Sequence, residues 1–272
     1  MVVKYKTSYG IALCRFNKDK NYQSEILMIN KRYTYSYFSF VFGLYKTYNT
    51  KQLQKLFNNM TFAEKIEILS MKFSAMWYKL WLCDPEKNFE IKMYNKKTDD
   101  KQSHKNIKCY FRKKNKFESI FLQDGGKRLK NLINNSTNSV TPWEIPKGRK
   151  DDNETELECA MREIKEETTI NNNTYTVLWN VDPIKFSHKD DGVVYNSIYY
   201  LAYMNNDSNW QPRINFNSMN QLSEVEEVKW ISLSDIKFLG LNEIYKKRLI
   251  FIYKKISHYF KCNIKSDYYL II

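Results

Sequence analysis

Between Gly148 and Ile170 the chain reads GRKDDNETELECAMREIKEETTI, a polar loop running into a stretch dense with glutamates. Wound at about 3.6 residues per turn, it puts Glu163, Glu166 and Glu167 on one narrow arc, because positions i, i+3 and i+4 are neighbours on a helix surface. Leu157, Ala160, Met161 and Ile164 fall on a separate arc with the spacing of a core-facing stripe. The pattern predicts a helix anchored by its apolar face that presents three acids beside it. Like charges at these spacings repel even in water, and in a cleft of effective dielectric about 20 two of them about 4 Å apart interact by about 4 kcal/mol. A partly buried triad therefore demands protons or a cation, and hard oxygen donors favour Mg²⁺ or Mn²⁺. Zinc is disfavoured: Cys14, Cys83, Cys109, Cys159 and Cys262 and His104, His188 and His258 never reach a paired ligand spacing. Taken alone, Glu-Ile-Lys-Glu-Glu also reads as a solvated acidic face. The residues around it decide between the two.

Gly148, Glu154, Arg162, Glu163, Glu166, Glu167 and Ile170 occupy the fixed positions of a longer motif, Gly, five residues, Glu, seven residues, Arg-Glu-apolar-any-Glu-Glu-any-Gly-apolar. The run resembles the Nudix box. Thr169 is the one departure, standing where the family has a glycine that closes the helix in a left-handed conformation. The resemblance implies that Glu163, Glu166 and Glu167, with the Gly148 carbonyl, are ligands of a metal cluster, and that Glu154 and Arg162 brace the box. Spacing alone offers Arg162 a second partner, Glu158, four residues before it. The implied reaction is phosphoanhydride hydrolysis by a metal-activated water. In decapping-type Nudix enzymes a catalytic glutamate stands six residues before a tryptophan, a spacing that Glu224 has to Trp230, with Glu227 in reserve; otherwise Ser223–Lys229 is an acidic loop before an edge strand. Lys147 and Arg149 flank the glycine and place positive charge to hold substrate phosphates, or else to balance the acids.

The elements that must position these groups follow from pattern. Tyr9–Phe16 and Glu25–Lys31 read as strands joined by a polar turn over 17–24, like the opening hairpin of a Nudix sheet. From Tyr35 to about Asn135 the pattern turns helical. Thr61 with Glu64 forms a capping box, after which Ile66, Leu69, Phe73, Trp77, Leu80 and Trp81 keep helical spacing until Pro85. Trp143–Pro146, Tyr175–Asn180, Asn196–Met204 and Val228–Ile231 read as later strands. A final helix over about 241–260 carries a stripe through Ile244, Leu249, Ile252 and Ile256, and His188 falls in a hairpin turn. The implied class is α/β: a Nudix fold, an α/β/α sandwich with a mixed sheet, formed by 1–35 and 136–272 with the box at 148–170. It is interrupted by an inserted helical, basic, RNA-binding domain over 36–135.

Lys31-Arg32-Tyr33, Phe57-Asn58-Asn59-Met60-Thr61, Met76-Trp77-Tyr78 and Trp143-Glu144-Ile145-Pro146-Lys147-Gly148 resemble the Nudix decapping proteins of large cytoplasmic DNA viruses, closest to the asfarvirus type. That resemblance implies a viral mRNA-decapping enzyme that releases 7-methyl-GDP and 5′-monophosphate RNA from capped mRNA, in the host cytoplasm. It also implies action on diphosphoinositol polyphosphates, which makes an inositol or nucleoside diphosphate pyrophosphatase the first rival reading. A noncatalytic RNA-binding module is the second.

Charge independently favours an extended anionic partner. The net charge is +14, and residues 92–130 carry 13 Lys or Arg against four Asp or Glu. A basic groove bearing Arg112, Lys113, Lys114, Lys116, Lys127, Arg128 and Lys130 suits an RNA backbone, although Asn95–Lys108 reads equally as a solvated linker. Lys246, Lys247, Arg248, Lys254 and Lys255 make a second basic face. Trp77, Tyr78 and Trp81 are placed either to stack a methylated base or, as periodicity favours, to fill a core. No apolar run approaches the about 20 residues that span a bilayer, and the first residues lack a secretory hydrophobic region. An odd cysteine count without a framework spacing suits reduced thiols. The expectation is a soluble, cytoplasmic enzyme of undetermined oligomeric state.

Overall fold

The computed structural model describes residues 4–17, 23–82, 101–190, 192–205 and 210–267, which divide into two compact units, one of Met1–Lys31 with Trp143–Ile272 and one of Arg32–Pro142. In the first unit, β1 (Lys4–Asn17), β2 (Gln23–Lys31), β3 (Trp143–Glu144), β4 (Lys147–Gly148), β5 (Tyr175–Val177), β6 (Ile184–Asp190), β7 (Val193–Met204) and β8 (Val225–Ser232) form one mixed sheet. β1 and β7 are parallel, from Lys4 opposite Val193 to Cys14 opposite Tyr203, and the other pairings are antiparallel. The run Tyr9–Cys14 is apolar almost without interruption because both faces of β1 are covered. Tyr9, Ile11 and Leu13 pack with Cys159, Ala160 and Ile164, while Ala12 and Cys14 pack with Leu249, Ile252, Tyr253 and Ile256. The chain is thus an α/β protein with a mixed sheet between helices.

Several expectations need correction. β6 is a strand beyond those expected, and His188 lies within it, opposite Tyr195 and stacked on that ring at 5.1 Å, rather than in the turn. The final helix runs Glu243–Asp267, but Ile244 is exposed; Tyr253 takes a place in the stripe instead. The turn residues 18–22 and Pro85 lie outside the described residues.

The second unit is helical: α1 (Tyr35–Val41), α2 (Thr50–Asn58), α3 (Phe62–Ser70), α4 (Phe73–Trp81), α5 (Lys101–Phe121) and α6 (Lys127–Asn134) surround a core that includes Phe40, Phe57, Phe73, Trp77, Tyr110 and Phe121. Of the stretch for which a solvated linker was the alternative reading, residues 101–108 belong to a helix, whereas 95–100 lie outside the described residues. Thr61 and Glu64 form the expected capping box, but the helix they start breaks at Met71 and Lys72, which adopt extended backbone. Ile66 and Leu69 consequently face solvent; α3 buries Glu64, Lys65 and Ile68. Glu64 is satisfied there by the Thr34 N–H at 2.6 Å, the Thr34 hydroxyl at 2.8 Å and the Thr61 N–H at 2.8 Å. Trp77 is core, and Tyr78 and Trp81 keep partial exposure. No helix among the described residues is long and apolar enough to cross a membrane.

Candidate active site

The acid-bearing helix, α7 (Glu156–Thr168), is defined at both ends by sequence. Thr155 accepts the Glu158 N–H at 3.2 Å and Glu158 accepts the Thr155 N–H at 2.7 Å, a reciprocal cap. Glu158 is thereby occupied, so it is Glu154 and not Glu158 that partners Arg162. At the far end Thr169 takes φ 60° and ψ 16°, the left-handed geometry that the motif assigns to glycine. Burial of Cys159, Ala160 and Ile164 against β1 and β2 fixes the helix on the sheet; a fully buried aliphatic chain such as Ile164 contributes about 2 kcal/mol.

On this helix one guanidinium organises the acids. Arg162 Nε and Nη2 donate to Glu154 Oε2 and Oε1 at 2.9 and 2.7 Å, and Nη1 donates to Glu163 Oε1 at 2.8 Å and Glu166 Oε2 at 3.2 Å. Nη2 also donates to the Arg149 carbonyl at 3.0 Å, tying the loop to the helix. Hydrogen bonds from Arg162 hold the Glu154 carboxyl down at about 2, while burial pushes Glu163 upward. The Glu163 carboxylate lies against the Gly148 Cα so closely that a Cβ there would sit 1.9 Å from Oε1. Only a glycine leaves that acid in place.

Glu167 is deeper, and burial raises it to about 7 despite the charge of Lys31. Its Oε1 accepts Lys31 Nζ at 2.5 Å and its Oε2 accepts the Lys147 N–H at 3.1 Å. Lys31 Nζ also donates to Glu224 Oε2 at 2.8 Å and lies 3.9 Å from Glu144 Oε1, and Lys147 Nζ donates to Glu144. From the buried Glu167, 4% exposed, to Glu224, 60% exposed, the acids form a wall that opens to solvent.

The structure thus brings together Gly148, Glu154, Arg162, Glu163, Glu166 and, through Lys31, Glu167 and Glu224. Glu227 is turned to Lys229 instead. Lys147 directs its ammonium to Glu144, while the Arg149 side chain is exposed. Lys31, Glu144 and Gln221 were not foreseen as members of the site; the sequence signal for the first two was their place in the decapping-type runs Lys31-Arg32-Tyr33 and Trp143–Gly148. In the helical unit, Arg112, Lys127 and Lys130 are exposed. Lys116 donates to the Gly43 and Tyr45 carbonyls at 3.0 and 2.8 Å, Arg128 donates to the Thr47 carbonyl, and Lys113 and Lys114 lie over Phe42 and Tyr110.

Among the described residues, no three carboxylate, imidazole or thiol side chains stand grouped as a ready-made ligand set, because Arg162 and Lys31 draw the acids to themselves. The donors fit a hard divalent ion in their chemistry. All are oxygens, and burial disfavours the charged forms of Glu163 and Glu167, a cost that a bound divalent ion offsets.

An acid-lined helix over a mixed sheet flanked by helices defines the class, a hydrolase of the Nudix type. The NUDIX domain family model matches residues 112–250, more than half of the 272-residue chain. The mRNA-decapping protein g5R of African swine fever virus is 32% identical over 247 residues, which is 89% of this chain and 90% of that protein. A protein of Acanthamoeba polyphaga mimivirus, provisionally named an mRNA-decapping protein, is 26% identical over 282 residues, covering 96% of this chain and 75% of its own length. The chain belongs to the Nudix hydrolase family. A C. elegans Ap4A hydrolase in binary complex aligns over 94% of this chain and 97% of its own at 13% identity and a TM-score of 0.43, and carries no part of the assignment.

Proposed function

We propose that this chain is a divalent-metal-dependent decapping enzyme that hydrolyses the phosphoanhydride of the 5′ cap of mRNA, leaving 7-methyl-GDP and 5′-monophosphate RNA. The observation that carries the reading is the filled acid helix of a Nudix hydrolase in a chain 32% identical, along most of its length, to a viral mRNA-decapping protein. Glu163, Glu166 and Glu167, with the Gly148 carbonyl, would hold Mg²⁺ or Mn²⁺. When bound, such an ion lowers the pKa of water and neutralises charge on the leaving oxygen. Glu224 accepts the proton of the attacking water, from a side chain open enough to meet solvent and close enough, through Lys31, to the helix acids. Arg162 and Glu154 hold Glu163 and Glu166 ready, and Arg149, exposed beside the glycine, meets substrate phosphates. Arg112, Lys127 and Lys130, with Lys113, Lys114, Lys116 and Arg128 behind them, follow the transcript backbone; the last four also stiffen the helical unit through the contacts they make.

Three substrates supplied with Mn²⁺ test the reading: cap-labelled long RNA, free cap dinucleotide and a diphosphoinositol polyphosphate. Preferential release of 7-methyl-GDP from the long RNA is the expected result. Equal or faster turnover of the inositol compound reverses the ranking, and RNA binding without cleavage points to a noncatalytic module.

A further inference from the structure

Lys31 ends β2 with its side chain 9% exposed, and its ammonium serves two carboxylates from different helices, Glu167 of α7 at 2.5 Å and Glu224 of α8 (Met219–Glu224) at 2.8 Å. A β-bulge makes the meeting possible. Asn30 is opposite Glu227 but Lys31 is opposite Val225, so Glu226 is an extra residue in β8. Bulges bend a strand and re-aim the residues beside them, and this one brings the start of β8, with Glu224 immediately before it, opposite Lys31. A second fastening lies behind. Gln221, fully buried, donates through Nε2 to the Glu167 carbonyl at 3.0 Å and the Arg213 carbonyl at 3.2 Å, which joins α8 to the end of α7.

Glu224 is largely exposed, so packing does not choose its rotamer, and holding it in one orientation works against its side-chain entropy. Lys31 supplies the fixed point. Its ammonium is buried and is held by Glu167 as well, and charge-assisted hydrogen bonds of this length are the strong ones.

We propose that Lys31 is a positioning residue: anchored on Glu167, it sets the orientation of the Glu224 carboxylate toward the attacking water. This rests on Glu224 being the base and adds what aims it. Charge balance around the buried acids is a separate role, and the two are separable because positioning acts through Glu224 alone.

A double-mutant cycle of Lys31→Met and Glu224→Gln, read as Mn²⁺-dependent cap release from capped RNA, tests the proposal. Each single change is expected to lower kcat about 100-fold, the scale of general-base catalysis, with KM within about threefold. The double variant is expected to be no slower than Glu224→Gln alone. Since Lys31→Met strips a buried charge from Glu144 and Glu167 and can compromise folding, Lys31→Arg is carried through the same cycle. It keeps the charge but shifts the carboxylate, and a displacement of about 1 Å costs up to about 100-fold, so kcat falls at least tenfold in the parent and not in the Glu224→Gln background. Additive losses in the Lys31→Arg cycle overturn the proposal, as does wild-type kcat in both Lys31 variants. Wild-type kcat in Glu224→Gln instead overturns the base assignment, and this inference with it; additivity beside an impaired Glu224→Gln sinks Lys31 alone.

Discussion

Arg162 grips both oxygens of Glu154, at 2.9 and 2.7 Å, from eight positions further along the chain, and the same guanidinium reaches Glu163 and Glu166. The pair ties the loop after Gly148 to the helix that follows it. Glu154 is held at about 2 in the fold against an ordinary 4.5, chiefly by Arg162. Between those values the unfolded chain binds the extra proton, so stability rises with pH across the window. The contribution of Glu154 is complete above about 4.5 and is lost as pH falls through about 2. Glu154→Gln is expected to flatten the pH dependence of thermal unfolding in that window and leave it unchanged above; an unaltered slope contradicts the pairing.

Gly148→Ala tests whether the acids depend on a missing Cβ. The new methyl would stand 1.9 to 2.3 Å from the Glu163 carboxyl group, which must leave. Turnover is expected to fall at least about 100-fold, the cost of misplacing a reacting group by about 1 Å, while circular dichroism stays that of the parent. Wild-type turnover would show that Glu163 has no fixed place beside residue 148.

Thr169 is a β-branched residue in left-handed backbone, φ 60°, at the end of the acid helix. That conformation costs about 1–2 kcal/mol for a residue with a side chain, part of which glycine gives back as chain entropy. Thr169→Gly should therefore raise the unfolding free energy by about 0.5–1 kcal/mol in urea titration. A loss of stability would mean that the threonine side chain contributes more than its backbone strain costs.

The proposal that the exposed cations of the helical unit follow the transcript is tested by salt. Replacing Arg112, Lys127 and Lys130 together by alanine is expected to raise KM for long capped RNA and to lower the slope of log binding against log salt by about 0.7 per lost contact, with kcat on the free cap dinucleotide unchanged. Equal KM effects on both substrates would place these residues outside RNA binding.

How far the sequence reached depends on the kind of information each feature carries. The acid arc of α7 was legible because it is local, a spacing within about two helical turns; the brace from Glu154 came from the resemblance to the box, since spacing alone left Glu158 open as the partner of Arg162, and the capping box that occupies Glu158 was not foreseen. Lys31 and Glu144 were not legible, because their place beside Glu167 is set by the register of β2 and β3, and the meeting of Lys31 with Glu224 by one extra residue in β8. The break between α3 and α4 was hidden because the apolar period runs straight through Met71 and Lys72, with no glycine or proline to mark it. β6 was missed for the opposite reason: Ile184 is its only buried residue, so its sequence alternates weakly.

The proposed Mn²⁺ site at α7 and the proposed cap cleavage are measured side by side, by isothermal titration and by release of 7-methyl-GDP, for the parent chain and Glu166→Gln. The expected outcome is that the parent binds Mn²⁺ and releases 7-methyl-GDP, and that the variant loses at least about tenfold in ion affinity and about 100-fold in release while keeping its fold. A Glu166→Gln chain that binds the ion and cleaves capped RNA as the parent does would contradict it.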